Sequence, residues 1–148
     1  MLVRTEIDKK YIQPEIHVCN SELNDEVRKT CDELKSLYGN SIIGTDFKGN
    51  RCMLSISDIF AIFASDQRVI AKTPEGDYTV SKKLYELENE LDDLGFVRIS
   101  KSEIVSYKKI KRLDMSITGT IRLIMAGGYE TYTSRRNVSK IKKLLAVK

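Results

Sequence analysis

Two runs of this chain set cations among hydroxyl-bearing, β-branched and apolar residues: Phe96-Val97-Arg98-Ile99-Ser100-Lys101-Ser102, and later Ser134-Arg135-Arg136-Asn137-Val138. Their chemistry is anion recognition. An arginine fork on a loop can take two acceptors at once, such as guanine O6 and N7, and a lysine offers a point charge. Serine, asparagine and backbone N–H groups can hold register on phosphates. The charge balance agrees. Residues 96–148 carry thirteen Lys or Arg against three Asp or Glu, whereas the first 95 carry twelve against eighteen. The net charge of +4 thus hides a split of about −6 and about +10. A folded basic half on an acidic half is the electrostatic footprint of a polyanion binder, nucleic acid foremost. A solvated basic face with no partner has the same composition, and charge says nothing about fold or base preference.

Other chemistries find little support. The single histidine, His17, sits in the alternating run Glu15-Ile16-His17-Val18, which reads as an edge strand with the imidazole facing solvent. No HExxH, GxSxG or GxxxxGK[ST] pattern occurs. Gly127-Gly128 lies between two strand-like runs and reads as a hairpin turn, not a phosphate cradle. Cys19, Cys31 and Cys52 are odd in number and lack C-x-x-C spacing, so neither a disulfide framework nor a zinc site is expected. Asp92-Asp93 closes a helical pattern, where capping or solvation accounts for it. We expect no enzyme, cofactor, metal or small-molecule substrate.

A chain of 148 residues with 41% apolar and 31% charged residues suits one soluble domain, or a small one with an appendage. No apolar run approaches the roughly 18 residues that cross a bilayer. The N-terminal stretch MLVRTEIDKKYIQPEI lacks the apolar core of a signal peptide, so a cytoplasmic location is expected.

The elements that must position these cations can be read from periodicity. Residues 14–19 alternate as a strand. From Ser21, the positions Leu23, Val27, Cys31, Leu34 and Leu37 repeat at helical spacing, with Ser21 or Asn24 to cap the start and Gly39 to end it. A hairpin follows, 41–47 and 51–56 about Lys48-Gly49-Asn50. Residues 59–64, 68–73 and 77–80 read as three more strands. Leu84, Leu87, Leu91 and Leu94 mark an amphipathic helix ended by Gly95, with Glu86, Glu88, Glu90 and Asp92 on an exposed acidic face. Beyond it we expect a strand at 96–99, a helical turn within 102–107, and a hairpin of 110–117 and 120–125 about Thr118-Gly119. A strand at 129–134 and a basic helix from about 137 to 145 complete the chain. Arg98 and Arg122 lie within strands, where a solvated face and an anion contact stand equally open. Without βαβ alternation the fold class is mainly β or α+β, with antiparallel sheets.

From about Met53 to Leu145 the chain resembles the LytTR DNA-binding domain of bacterial transcriptional regulators. The resemblance rests on Asp58-Ile59 opening a strand, the Leu84-Tyr85-Glu86-Leu87 helix, the block R-I-S-K-S-x-I-V from Arg98 to Val105, and S-R-R-N-V from Ser134 to Val138 ahead of a basic terminal helix. It implies an antiparallel LytTR-type β fold with short flanking helices, whose loops, not a recognition helix, enter the major groove of double-stranded DNA. Position by position, Lys101 and Arg136 match the base-contacting places, and the turn holding Gln67 and Arg68 matches a third contacting loop. Ser102, Ser134, Arg135 and Asn137 match positions near the phosphate backbone. Ser106 stands where the family usually has asparagine. Lys108, Lys140 and Lys142 add phosphate attraction from their charge.

Residues 1–50 then read as a strand-helix-hairpin extension and a candidate dimerisation element, and 51–148 as the DNA-binding domain. The extension is too short for a phosphoacceptor receiver, which implies a stand-alone regulator, a homodimer on direct-repeat promoter sites. Resemblance to stand-alone members further implies restraint by a membrane-bound partner. Two other classes remain open at this stage. One is a protein-interaction module using its basic surface on an acidic partner. The other is an RNA binder with Tyr107, Tyr129 and Tyr132 as stacking candidates.

Overall fold

A computed structural model of the chain describes residues 1–11, 14–38, 40–115 and 120–146. Most strands here carry apolar residues on both sides, and the architecture follows from that. Seven strands form one antiparallel sheet in the order β2-β1-β5-β4-β3-β7-β6. They are β1 (Ser41–Thr45), β2 (Arg51–Ser55), β3 (Ala61–Ser65), β4 (Arg68–Thr73), β5 (Gly76–Val80), β6 (Phe96–Ser100) and β7 (Glu103–Ser106). A smaller sheet takes β8 (Ile110–Asp114), β9 (Arg122–Met125) and β10 (Glu130–Tyr132) in the order β10-β9-β8. The helices are α1 (Asp25–Tyr38), α2 (Leu84–Leu91) and α3 (Val138–Ala146).

Neighbouring residues along a strand point to opposite faces, and here both faces are covered. Ile62, Phe96 and Ile104 pack with Ala71 against Leu84, Leu87 and Leu91 of α2. Their chain neighbours Ala61, Val97 and Val105 pack with Ile99 against Leu123 and Met125 of the smaller sheet and Ile141 of α3. Fully burying a side chain such as Leu87 contributes about 2 kcal/mol, so α2 and α3 are held by their apolar stripes on opposite sides of one sheet. Gly44 permits the β1–β2–β5 packing: a Cβ there would lie 2.6 Å from Leu54 Cδ1 and 2.8 Å from Tyr78 Cβ. The β1–β2 hairpin is closed by Asp46, whose carboxylate accepts the N–H groups of Lys48 and Asn50, both at 2.9 Å. These bonds favour the charged form and hold its pKa below the ordinary carboxylate value.

Several expectations need correction. Residues 14–19 form no strand. Pro14 cannot donate to a ladder, among the described residues no strand pairs with this run, and Ile16 and Val18 stay exposed. His17 is exposed and its Nε2 lies 2.9 Å from Glu15 Oε2. The first helix begins at Asp25, because Asn24 Oδ1 accepts the Val27 N–H at 2.9 Å and so supplies the cap. Its proposed end at Gly39 lies outside the described residues. So does the Thr118-Gly119 tip of the β8–β9 hairpin. Residues 103–106, expected to hold a helical turn, form β7 with all four side chains buried. The β-branched pair Ile104-Val105 serves both core clusters, which only an extended chain allows. The hairpin β1–β2 continues the large sheet, since Gly44 pairs with Val80 and Thr45 with Thr79.

Candidate nucleic-acid interface

The strand order gathers three loops at one end of the large sheet. The β3–β4 turn is Asp66-Gln67, with φ of 48° and 64°, and Ser65 pairs with Arg68 across it. The β6–β7 turn is Lys101-Ser102. Because β3 pairs antiparallel with β7, Phe63 opposite Glu103, the two turns leave the sheet on the same side. The Ala64 N–H donates to the Ser102 carbonyl at 2.8 Å and ties them directly. On the far side of β6, the Ser134 N–H donates to the Ile99 carbonyl at 2.8 Å, bringing the 134–137 loop into the row. Strands lie about 4.8 Å apart, so the first two turns are spaced by roughly 10 Å.

Gln67, Arg68, Lys101, Ser102, Arg135 and Arg136 are all exposed. The third loop braces itself. Asn137 Nδ2 donates to Ser134 Oγ and its backbone N–H to the Ser134 carbonyl, both at 2.9 Å. Ser134 Oγ accepts in that bond, which leaves its own proton free to donate outward. Directly after this loop α3 carries exposed Lys140 and Lys142 within its first two turns, on either side of buried Ile141. Lys108 is set apart. It follows β7 at the sheet's other end, where the Tyr107 N–H donates to the Gly95 carbonyl at 2.9 Å and the Lys108 stem lies over Gly95.

The acidic residues of the basic half face inward or pair locally. Asp114 and Glu130 hold Arg122, at 3.0 Å and 3.5 Å, across the small sheet. Arg122 is therefore a cross-strand tie and not a solvated position. Buried Glu103 accepts from Tyr129 Oη at 2.8 Å and Thr131 Oγ1 at 2.6 Å. Burial, reinforced by the Glu103 acceptor, pushes the Tyr129 hydroxyl well above the ordinary phenol pKa. Among the described residues, Lys101, Arg135, Arg136, Lys140 and Lys142 have no carboxylate partner. The acidic face expected on α2 is also modified: Glu88 bonds Arg98, Glu90 bonds Lys82, and Glu86 accepts the Lys83 N–H.

Arg98 is the residue whose partners periodicity does not reveal. Its guanidinium donates to the carbonyls of Ser100 and Lys101 and to Glu88. One signal was present: Phe96-Val97 is apolar on consecutive positions, so the strand is covered on both faces and an arginine within it must find partners. The tyrosines do not form a stacking platform. Tyr129 packs on Phe60, ring centroids 5.6 Å apart, and Tyr107 joins the same core, while Tyr132 is exposed. Ser106 is buried in β7. Among the described residues no three His, Cys, Asp or Glu side chains gather as a metal site, and no helix is long and apolar enough to cross a membrane.

The chain is similar over 142 residues to an HTH-type transcriptional regulator of Staphylococcus aureus strain MSSA476, with 30% identity and 95% of each chain covered. It is similar over 127 residues to a regulator of the same description from S. aureus strain bovine RF122, with 32% identity and 85% of each covered. Among solved structures it matches a LytTr DNA-binding domain from Bacillus cereus, with TM-score 0.67 and 24% identity, covering 72% of this chain and 96% of that one. The relatives are named for a helix-turn-helix, yet among the described residues no two α-helices follow one another without strands between. The LytTr DNA-binding domain model matches residues 49–146, two thirds of the chain, and with it both cation-bearing blocks and all three loops; the chain belongs to that family.

Proposed function

We propose that this chain is a cytoplasmic, sequence-specific transcriptional regulator that reads the major groove of double-stranded DNA through its loops. The observation that carries the proposal is the convergence of the 66–68, 101–102 and 134–137 loops at one end of the sheet, with Lys101, Arg135 and Arg136 lacking a carboxylate partner among the described residues. In this reading Lys101 and Arg136 contact base edges, and Gln67 and Arg68 supply a third contact. Ser102, Ser134, Arg135 and Asn137 hold phosphates beside them, and Lys140 and Lys142 extend that attraction along α3. A roughly 10 Å spacing between turns fits within a groove about 12 Å wide. Lys108, at the opposite end, contributes to the field and not to the contact.

The 51–148 part acts as the DNA-binding domain in this proposal, and the 1–50 part as the element that joins two copies on direct-repeat promoter sites. Leu23 and Leu37 of that part stay exposed, which leaves apolar surface for a second copy. Restraint by a membrane-bound partner belongs to the same proposal.

Salt dependence tests the DNA reading. Six neutralised phosphates give a log–log slope of binding against salt near −5. On duplex selected by the protein from a random pool, that slope is expected together with tighter binding than to random duplex. A slope near zero, or equal binding to any polyanion, overturns the proposal.

A further inference from the structure

The Lys101 turn sits on an irregular piece of strand. Arg98 pairs with Ile104 and Ser100 with Glu103, so β6 carries one more residue than β7 over this stretch. Such a bulge leaves ladder groups without their usual partners, and backbone carbonyls there need donors. Arg98 supplies them. Its Nε donates to the Ser100 carbonyl at 2.8 Å, Nη2 donates to the Lys101 carbonyl, and Nη1 donates to Glu88 Oε2 at 2.8 Å. The Arg98 side chain is only 21% exposed. Glu88 belongs to α2, beside Leu87 and Leu91, which that helix buries in the core. The turn is thus tied through one guanidinium to a helix that cannot shift without opening the interior.

We propose that Arg98, held by Glu88, is a positioning residue for Lys101. It fixes the inward carbonyls of the turn and so sets where the exposed ammonium of Lys101 projects. Its own charge is committed to Glu88 and two carbonyls, so it does not compete for phosphate. Arginine is required because a planar fork reaches three acceptors in fixed directions, whereas an ammonium cannot span them. The proposal rests on the reading of Lys101 as a base contact.

The test uses the full chain and duplex selected from a random pool, with every base pair of the site varied in turn. Arg98→Ala is expected to weaken binding about tenfold and to flatten preference at the base pair that Lys101→Ala also flattens, leaving the Arg136 base pair unchanged. In a Lys101→Ala background the same change adds less than twofold. Arg98→Lys keeps the charge and the fold, and it gives the same loss if the alanine variant does not fold. Glu88→Gln gives a smaller loss at the same base pair. If Arg98→Lys restores wild-type preference, or Arg98→Ala weakens every sequence equally with and without Lys101, the positioning role is wrong. If Lys101→Ala leaves every preference intact while Arg136→Ala does not, the base-reading role of Lys101 fails first, and the clamp falls with it.

Discussion

Gln67→Gly is expected to make this protein more stable and worse at its task. Asp66 and Gln67 both lie in the left-handed region, φ 48° and 64°, which is what a two-residue hairpin turn demands. Aspartate tolerates that region; glutamine has no special aptitude for it. An L-residue there carries about 1–2 kcal/mol of strain, and glycine removes it while losing about 0.5–1 kcal/mol more chain entropy on folding. The net gain is about 0.5–1 kcal/mol. For a chain of this length that raises Tm by about 2–3 °C. Gln67 is exposed at the turn, and among the described residues its side chain makes no hydrogen bond within the chain, so nothing in the fold accounts for a side chain where glycine is cheaper. If it contacts a base, its loss costs about 1–3 kcal/mol of discrimination, or about 5- to 150-fold at one base pair. The assay pairs thermal unfolding by circular dichroism with competition between the selected duplex and single-base variants. A variant that melts lower than wild type contradicts the strain argument. One that melts higher yet keeps every base preference removes Gln67 from the interface.

Two further outcomes probe the scaffold. Tyr129→Phe leaves Glu103 short of a donor and is expected to cost about 1–3 kcal/mol. It also changes the alkaline limb. The folded hydroxyl resists ionisation while the unfolded one titrates near 10.0, so the unfolded state binds fewer protons above that pH and wild-type stability falls as pH rises. Urea midpoints from pH 8 to 11 are expected to lose that component in the variant; an unchanged slope refutes the assignment. Gly44→Ala overpacks the β1–β2–β5 contact, where the new Cβ meets Leu54 and Tyr78 below 3 Å, and is expected to cost about 1–3 kcal/mol in the same unfolding measurement.

The strands that were legible have a period of two and a turn residue at each end. The hairpins at Lys48-Gly49-Asn50 and Gly127-Gly128 are of this kind; both Gly127 and Gly128 have positive φ, 84° and 86°. Glu103–Ser106 was not legible as a strand. Four residues buried on both faces show no alternation, and short apolar runs do not separate strand from helix. The 14–19 run failed in the opposite way, with alternation present and no partner edge to use it. The convergence of Gln67 with Lys101 is a fact of strand order: β3 lies beside β7, with Phe63 paired to Glu103 40 positions further on, and no local pattern carries that. The candidate contacts follow from motif resemblance, and the fold places Lys108 at the other end of the sheet from the rest. The role of Arg98 stays open in the sequence, because a cation in a strand fits a solvated face as well as a contact until the bulge and Glu88 are seen.

The central claim is that loop-borne side chains read bases while the remaining cations attract phosphate. Selection of bound fragments from random duplex, run in parallel for wild type, Arg136→Ala and Lys142→Ala, tests it most directly. Wild type is expected to enrich a site with two spaced repeats. Arg136→Ala is expected to lose preference at one base pair of each repeat at a cost of about 1–3 kcal/mol, and Lys142→Ala to bind more weakly with the pattern intact. No enrichment by wild type, or an Arg136→Ala pattern identical to wild type at uniformly lower affinity, contradicts the account.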